Sequence, residues 1–177
     1  MTIKVLEKTN GCMPQIIDKG DWIDLYTEED IVLKAPYAKT LHIVKKDDNS
    51  TEKLRDVIFD SALVSLGVAM KLPKGFEAII APRSSTFKKY GIIQSDMIAV
   101  MDNSYCGNND IWKMPITATR NITIPKGTRL CQFRVQLSQK ATVWQKIKWL
   151  FSNGIKLKKV DSLDDTDRGG FGTSGTN

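Results

Sequence analysis

The sequence predicts an all-β fold, an antiparallel sandwich or barrel, from three observations. Short runs rich in β-branched and aromatic residues recur along the chain, turn chemistry separates them every ten or so residues, and one Pro-Lys-Gly turn occurs twice. The runs are "IKVLEK" (3–8), "LHIVKK" (41–46), "ALVSLGVAM" (62–70), "FEAIIA" (76–81), "MIAVMD" (97–102), "NITI" (121–124) and "RLCQFRVQL" (129–137). The repeated turn opens "LPKGFEAII" (72–80) and "IPKGTRLCQFRV" (124–135). Proline there presets φ at the first central position and glycine takes the last place, as a type I turn prefers. The charge-dense "KKDDNSTEKLRD" (45–56) reads as an exposed loop or short helix. Within 140–160, Val143, Ile147, Leu150 and Phe151 recur at helical spacing with Trp144 beside them, and Gly154 ends the run, which predicts a short amphipathic helix over 143–152. A hydrophobic content of 41% in 177 residues is enough for one sizeable core and argues for one domain.

Composition then narrows the function. Lysines interrupt the apolar residues of the N-terminal "MTIKVLEKTNG", and nowhere do eighteen apolar residues run together. Neither a secretory signal nor a membrane span is expected, which assigns the chain to the cytoplasm. Cys12, Cys106 and Cys131 form no CxxC pair and read as reduced structural thiols. The single histidine, His42, has no cysteine or acidic cluster beside it, which argues against a histidine-built metal site or a Ser-His triad. The net charge of +6 equals the six lysines of 140–160, a stretch with no acid. That confinement reads as a solvated face over an apolar contact, and nucleic acid is not expected as a partner.

Three stretches carry chemistry. In "APRSSTFKKYG" (81–91), Arg83 offers a planar fork of donors while Ser84 and Ser85 add hydroxyl and backbone donors, a set that suits phosphate oxygens. In "MIAVMDNSYCGNND" (97–110), Asp102 ends an apolar strand, where a carboxylate is costly unless it is paired or working. In "DRGGFGTSG" (167–175), closely spaced glycines let backbone N–H groups converge on an anion, with Arg168 adding charge, Thr173 and Ser174 adding donors, and Phe171 a flat face for a base.

Together with "GDWIDLYT" (20–27) and "GTRLCQF" (127–133), these stretches resemble, in order and across nearly the whole chain, the five motifs of the trimeric all-β dUTP diphosphatases, the dUTPases. The wording is most similar to that of phage and prophage dUTPases of Gram-positive bacteria. The resemblance implies a jelly-roll barrel of antiparallel strands over 1–160, insertions at about 44–58 and 138–157, and a flexible arm, 161–177, that closes over the site. It implies hydrolysis of dUTP to dUMP and pyrophosphate with Mg2+, in a homotrimer with shared active sites, in the cytoplasm of a bacterium or a phage-infected host. By the same resemblance Asp102 deprotonates the water that attacks the α-phosphorus and Tyr105 packs on the deoxyribose. Arg83, Ser84 and Ser85 hold phosphate oxygens from a neighbouring subunit, with Gln132 near the phosphates and Asp24 near the magnesium through water. Arg168, Gly172, Thr173 and Ser174 close over the γ-phosphate and Phe171 covers the uracil, while the tail reaches another subunit's pocket. The backbone around Val100, Met101 and Asp110 pairs with the base and leaves no room for a 5-methyl group.

The chain departs from the family at position 96, where Asp96 stands in place of the usual asparagine and can only accept a hydrogen bond. That substitution keeps dCTP deaminase, which shares the fold, as the alternative activity. A host regulatory protein is a further candidate partner, with 45–56 and 140–160 as its docking segments.

Overall fold

The computed structural model describes residues 1–48 and 50–170. The early strands are β1 (Thr2–Glu7), β2 (Gln15–Ile16), β3 (Ile23–Tyr26), β4 (Ile31–Leu33), β5 (Tyr37–Lys45), β6 (Thr51–Ile58), β7 (Ser61–Lys71) and β8 (Phe76–Pro82). After helix α1 (Thr86–Tyr90) come β9 (Ile92–Gln94), β10 (Ala99–Met101), β11 (Ile111–Ala118), β12 (Ile122–Ile124) and β13 (Arg129–Leu137), then helix α2 (Val143–Leu150) and β14 (Lys156–Lys159). The chain is mostly β, as the sequence predicts. Two five-stranded sheets, ordered β14-β1-β7-β11-β9 and β10-β8-β13-β3-β2, carry the fold, with β12-β4 and β5-β6 as two-stranded ribbons. Both five-stranded sheets are open, consistent with a jelly roll, and pairing is antiparallel except between β1 and β14.

Period-two patterning explains which faces meet. Strand β11 alternates strictly and buries Trp112, Met114, Ile116 and Ala118, while β8 buries Phe76, Ala78 and Ile80. Trp112 from one sheet meets Phe133 from the other edge-on, with ring centroids 5.2 Å apart and planes at 73°. Strand β11 is absent from the runs read off the sequence because Pro115 interrupts "IWKMPITA", and proline argues against a central strand.

Three expectations are corrected. The segment 45–56 is not one loop or helix: β5 and β6 form a hairpin from Tyr37↔Ile58 to Lys45↔Thr51 with its turn between them, because the β-branched residues flanking the charges, Ile43, Val44, Val57 and Ile58, favour strand. The repeated Pro-Lys-Gly turns close one residue later than a type I reading requires. Phe76 N donates to Pro73 O and Thr128 N to Pro125 O, both at 3.2 Å, which sets Gly75 (φ +84°) and Gly127 (φ +72°) at the third corner, where left-handed backbone favours glycine. Helix α2 forms as predicted and starts with a capping box between Thr142 and Gln145. Its predicted apolar stripe of Val143, Ile147, Leu150 and Phe151 is exposed, however, and the helix docks instead through Trp149, whose ring lies 5.3 Å from that of Phe76.

For the site, the decisive feature is strand β8, which is paired on both edges. On one side Met101 faces Ala78 and Ala99 faces Ile80; on the other, Gln132 faces both Ala81 of β8 and Asp24 of β3. Asp102 therefore emerges beside the start of β8, and Asp24 and Gln132 lie level with its end.

Phe133→Ala removes the ring that joins the two sheets. We expect it to cost about 3–5 kcal/mol, read as a lower denaturant midpoint at unchanged slope.

Candidate active site

At the end of β8, Asp24 is 2% exposed and would be costly to bury alone. Two guanidinium groups answer it: Arg83 Nε lies 3.1 Å from Oδ1 and Arg129 Nη1 lies 3.3 Å from Oδ2. The loop after β8 is held by Thr86, buried, whose N–H donates to Arg83 O at 2.9 Å and whose hydroxyl donates to Leu130 O at 2.8 Å. Ser84 and Ser85 stand exposed on that loop. Asp24, Arg83, Ser84, Ser85 and Gln132 are thus brought together. Arg129 joins them unforeseen; its position at the head of the "RLCQFRVQL" strand was the available signal.

At the other end of β8, the hairpin after β10 builds a second group. Tyr105 N donates to Asp102 O at 3.0 Å, and the Tyr105 hydroxyl donates to Ile111 O at 2.9 Å. Burial, with smaller contributions from the Asp110 and Asp167 carboxylates, pushes the phenol up to about 12, so it stays protonated at neutral pH. Val100, Met101, Asp102, Tyr105, Arg168, Gly169 and Gly170 line a cavity of about 230 Å³. Strand β10 is the edge of its sheet, so the outward N–H and C=O groups of its backbone border this space without a strand partner. Asp102 also borders a larger cavity of about 720 Å³, whose far wall is the inserted segment through Ser138, Gln139, Lys140, Thr142 and Gln145.

The last described residues return to this hairpin. Leu163 is fully buried and its N–H donates to Asn108 Oδ1 at 2.8 Å. Lys71 pairs with Asp165 at 2.7 Å, and Asn109 donates to Asp167 through its backbone (2.8 Å) and its side-chain amide (2.7 Å). Arg168 Nη1 then donates to Asp102 Oδ2 at 2.6 Å. Up to Gly170 this segment takes hydrogen-bond partners from the Asn108–Asp110 turn. Phe171, Gly172, Thr173 and Ser174 lie outside the described residues.

Two expected base contacts are arranged differently. The Asp110 N–H is taken by Gly107 O at 3.2 Å, and its side chain, 1% exposed, turns to the tail instead. Asp96 sits on the exposed turn before β10, where its Oδ1 accepts from the Gln94 amide at 2.8 Å, away from the residues lining the cavity. The carboxylate of Asp102 and the Arg83 group stand at opposite ends of β8, separated by about 20 Å for the six steps from residue 77 to residue 83 at roughly 3.3 Å each.

Among the described residues no three Asp, Glu, His or Cys side chains converge as a metal site, and both oxygens of Asp24 face guanidinium groups. The described residues therefore offer no protein-built cage for magnesium. The fit that remains is the usual one for this hard, hydrated ion, a single carboxylate acting through water together with phosphate oxygens of a ligand.

Comparison with known proteins follows this geometry. The dUTPase family model matches residues 41–176. The chain is 38% identical over 174 residues to the SPbeta prophage-derived deoxyuridine 5'-triphosphate nucleotidohydrolase of Bacillus subtilis, covering 98% of this chain and 96% of that protein. It is 29% identical over 182 residues to the deoxyuridine 5'-triphosphate nucleotidohydrolase of Finegoldia magna, covering 99% of each. The fold is shared with solved dUTPases of Streptococcus mutans (TM-score 0.59, 15% identity, 80% of this chain and 99% of that one) and of phage phi11 of S. aureus (TM-score 0.59, 14% identity, 81% and 95%), the latter a mutant form described as coordinating a structural Mg(II) ion.

Gly107 has no room for a side chain: a Cβ there would lie 2.4 Å from Asp167 Cα and 2.6 Å from its nitrogen. Gly107→Ala is expected to weaken docking of 163–169 by about 1–3 kcal/mol, seen as faster amide exchange in that segment while the sheets stay protected. The Asn109 donors hold the Asp167 carboxyl below its ordinary value of 3.8, and Lys71 does the same for Asp165. Their contribution is complete above the ordinary value and is lost as pH falls through the lowered one. Acidification below about pH 4 should release 163–169 before the sheets unfold, which exchange measured against pH will show.

Proposed function

The chain belongs to the dUTPase family, and on that premise we propose that it hydrolyses dUTP to dUMP and pyrophosphate at a site centred on Asp102. One observation carries this reading: Asp102 shares a small cavity with Tyr105, Arg168 and the open edge of β10. Deoxyribose packs on Tyr105, and the uracil pairs with the outward backbone of Val100 and Met101, where a 5-methyl group meets the strand.

Asp102 works as a general base. With Oδ2 held by Arg168, Oδ1 is left to take a proton from a water that attacks the α-phosphorus. The bond from that phosphorus to the bridging oxygen breaks, and the oxygen departs with pyrophosphate. Such a displacement needs alignment and charge neutralisation more than a covalent intermediate. A positioned base contributes about 10²–10⁴-fold. Arg83, Ser84 and Ser85, with Gln132, bind the phosphate oxygens. Magnesium on the triphosphate, held by Asp24 through water, would neutralise phosphate charge. Arg168 and the segment Phe171, Gly172, Thr173 and Ser174 cover the nucleotide and exclude water, a reading that rests on their motif.

The separation of about 20 Å between Asp102 and the Arg83 group supports a site completed between subunits, hence a homotrimer in which one chain supplies the hairpin and another the phosphate loop. Light scattering should find a trimer; an active monomer would defeat the arrangement. Asp96, the feature that raises the deaminase alternative, is engaged by Gln94 and adds nothing to the cavity.

Pyrophosphate release should be fastest from dUTP among dUTP, dCTP, dTTP and UTP, with no ammonia from dCTP; ammonia release would overturn the reading. Asp102→Asn should lower kcat by at least about 10²-fold while nucleotide still binds, and a fully active variant would remove the base.

A further inference from the structure

We propose that Lys140, carried by the inserted segment, is a substrate-binding residue whose ammonium group takes the terminal phosphates of the nucleotide on the far side of Asp102. The proposal deepens the dUTPase reading and rests on it for the identity of the ligand. It starts from two cavities that meet at one carboxylate. Asp102 borders both the cavity of about 230 Å³ beside Tyr105 and the cavity of about 720 Å³ walled by the insertion. The smaller lies below the roughly 300–1,000 Å³ of pockets that enclose a whole small molecule, so it suits the nucleoside alone. With the α-phosphorus beside Asp102, the β- and γ-phosphates continue into the larger space.

The charges lining that space favour an anion. Its four ionisable side chains are Glu77, Asp102, Lys140 and Arg168. Three of them are engaged: Arg168 Nη1 donates to Asp102 Oδ2 at 2.6 Å, and Glu77 Oε1 accepts from the Gln136 amide at 2.7 Å. Lys140 takes part in none of the salt bridges among the described residues. Its exposed ammonium, a compact point charge with three donors, is available to phosphate oxygens.

The first Pro-Lys-Gly turn sets where Lys140 stands, because it ties together both walls of the cavity. Asn103, next to Asp102, donates through its side-chain amide to Leu72 O at 3.1 Å and to Pro73 O at 2.7 Å. From the insertion, Ser138 N donates to Gly75 O at 2.9 Å, and Ala141 N donates to Ser138 O at 3.0 Å, closing a turn with Gln139 and Lys140 at its corners. Gln145 packs on the same strut so closely that a Cβ on Gly75 would lie 2.4 Å from its Cδ. Residues 72–75 therefore hold the Asp102 hairpin and the root of Lys140 in one frame.

Lys140→Met keeps an apolar stem and removes the charge. The probes are inorganic pyrophosphate, dUMP and a non-hydrolysable imido analogue of dUTP, each titrated by calorimetry into the full-length protein with Mg2+. Lys140→Met should bind pyrophosphate and the analogue about 10-fold more weakly than the wild type and dUMP equally well, and Lys140→Arg should restore most of the loss. Lys146→Met, exposed on the same segment but outside the cavity lining, should bind all three as the wild type does. Unchanged affinities in Lys140→Met would overturn the proposal. So would an equal loss for dUMP, which puts the lysine at the nucleoside, or an equal loss in Lys146→Met, which makes the effect one of general charge. A wild type that binds pyrophosphate but not the deoxyuridine analogue would sink the dUTP reading instead, and the pyrophosphate titrations would still judge Lys140.

Discussion

Strand β8 is hydrogen-bonded along both edges, to β10 on one side and β13 on the other, and its length sets the geometry of the site. Residues paired with its first half, Met101 and then Asp102, come out at one end of the sheet. Residues paired with its second half, Gln132 and through it Asp24, come out at the other, beside Arg83. A strand cannot be shortened without losing ladder bonds, and a slip of one residue would turn Ala78 and Ile80 out of the core. The separation of Asp102 from the Arg83 loop is consequently rigid. The proposed trimer, in which a second copy supplies the Arg83 loop, rests on that separation.

At the hairpin end backbone donors and side-chain charge act together: N–H groups satisfy Asp110, while Arg168 pairs with Asp102 and Lys71 with Asp165. Asp110 is neutralised by N–H groups, and Asp167 holds the Asn109 amide, so the arm is seated by short, directional contacts that exchange readily with water when they open. Such contacts are individually worth about 0.5–1.5 kcal/mol, more when one partner is charged. At the Arg83 end side-chain charge alone does the work. Asp24 is buried between two arginines, and an ion pair of that kind gives a fixed platform.

The two long segments beyond the common motifs behave differently from each other. The hairpin β5–β6 places no residue in the core, and its surface pairs, His42 with Asp56 and Lys46 with Glu52, are of the exposed kind that stabilises little. The segment 138–150 does reach the site. Trp149 seats it on Phe76, and its N-terminal part becomes the far wall of the cavity beside Asp102, with Lys140 placed there.

Much was legible in the sequence where period and turn chemistry speak locally. Seven runs became strands or parts of them, Thr142 and Gln145 capped a helix where the apolar spacing asked for one, and the residues around Asp102 and Arg83 announced anion chemistry by their types. The hairpin of 37–58 and strand β11 were less legible, because dense charge masked the first and a proline outweighed the alternation of the second. The choice of Trp149 over Val143, Ile147, Leu150 and Phe151 as the buried face depended on where Phe76 stood. Residue identities, then, determined by themselves which chemistry the chain can perform, since donors, carboxylates and glycines carry that capacity wherever they are put. Only the tertiary structure decided that Arg168 meets Asp102, that Asp110 accepts from the amides of Arg168 and Gly169, and that Arg83 stands a strand's length away. Those are relations between residues distant in sequence, set by ladder register and packing, which no local pattern encodes.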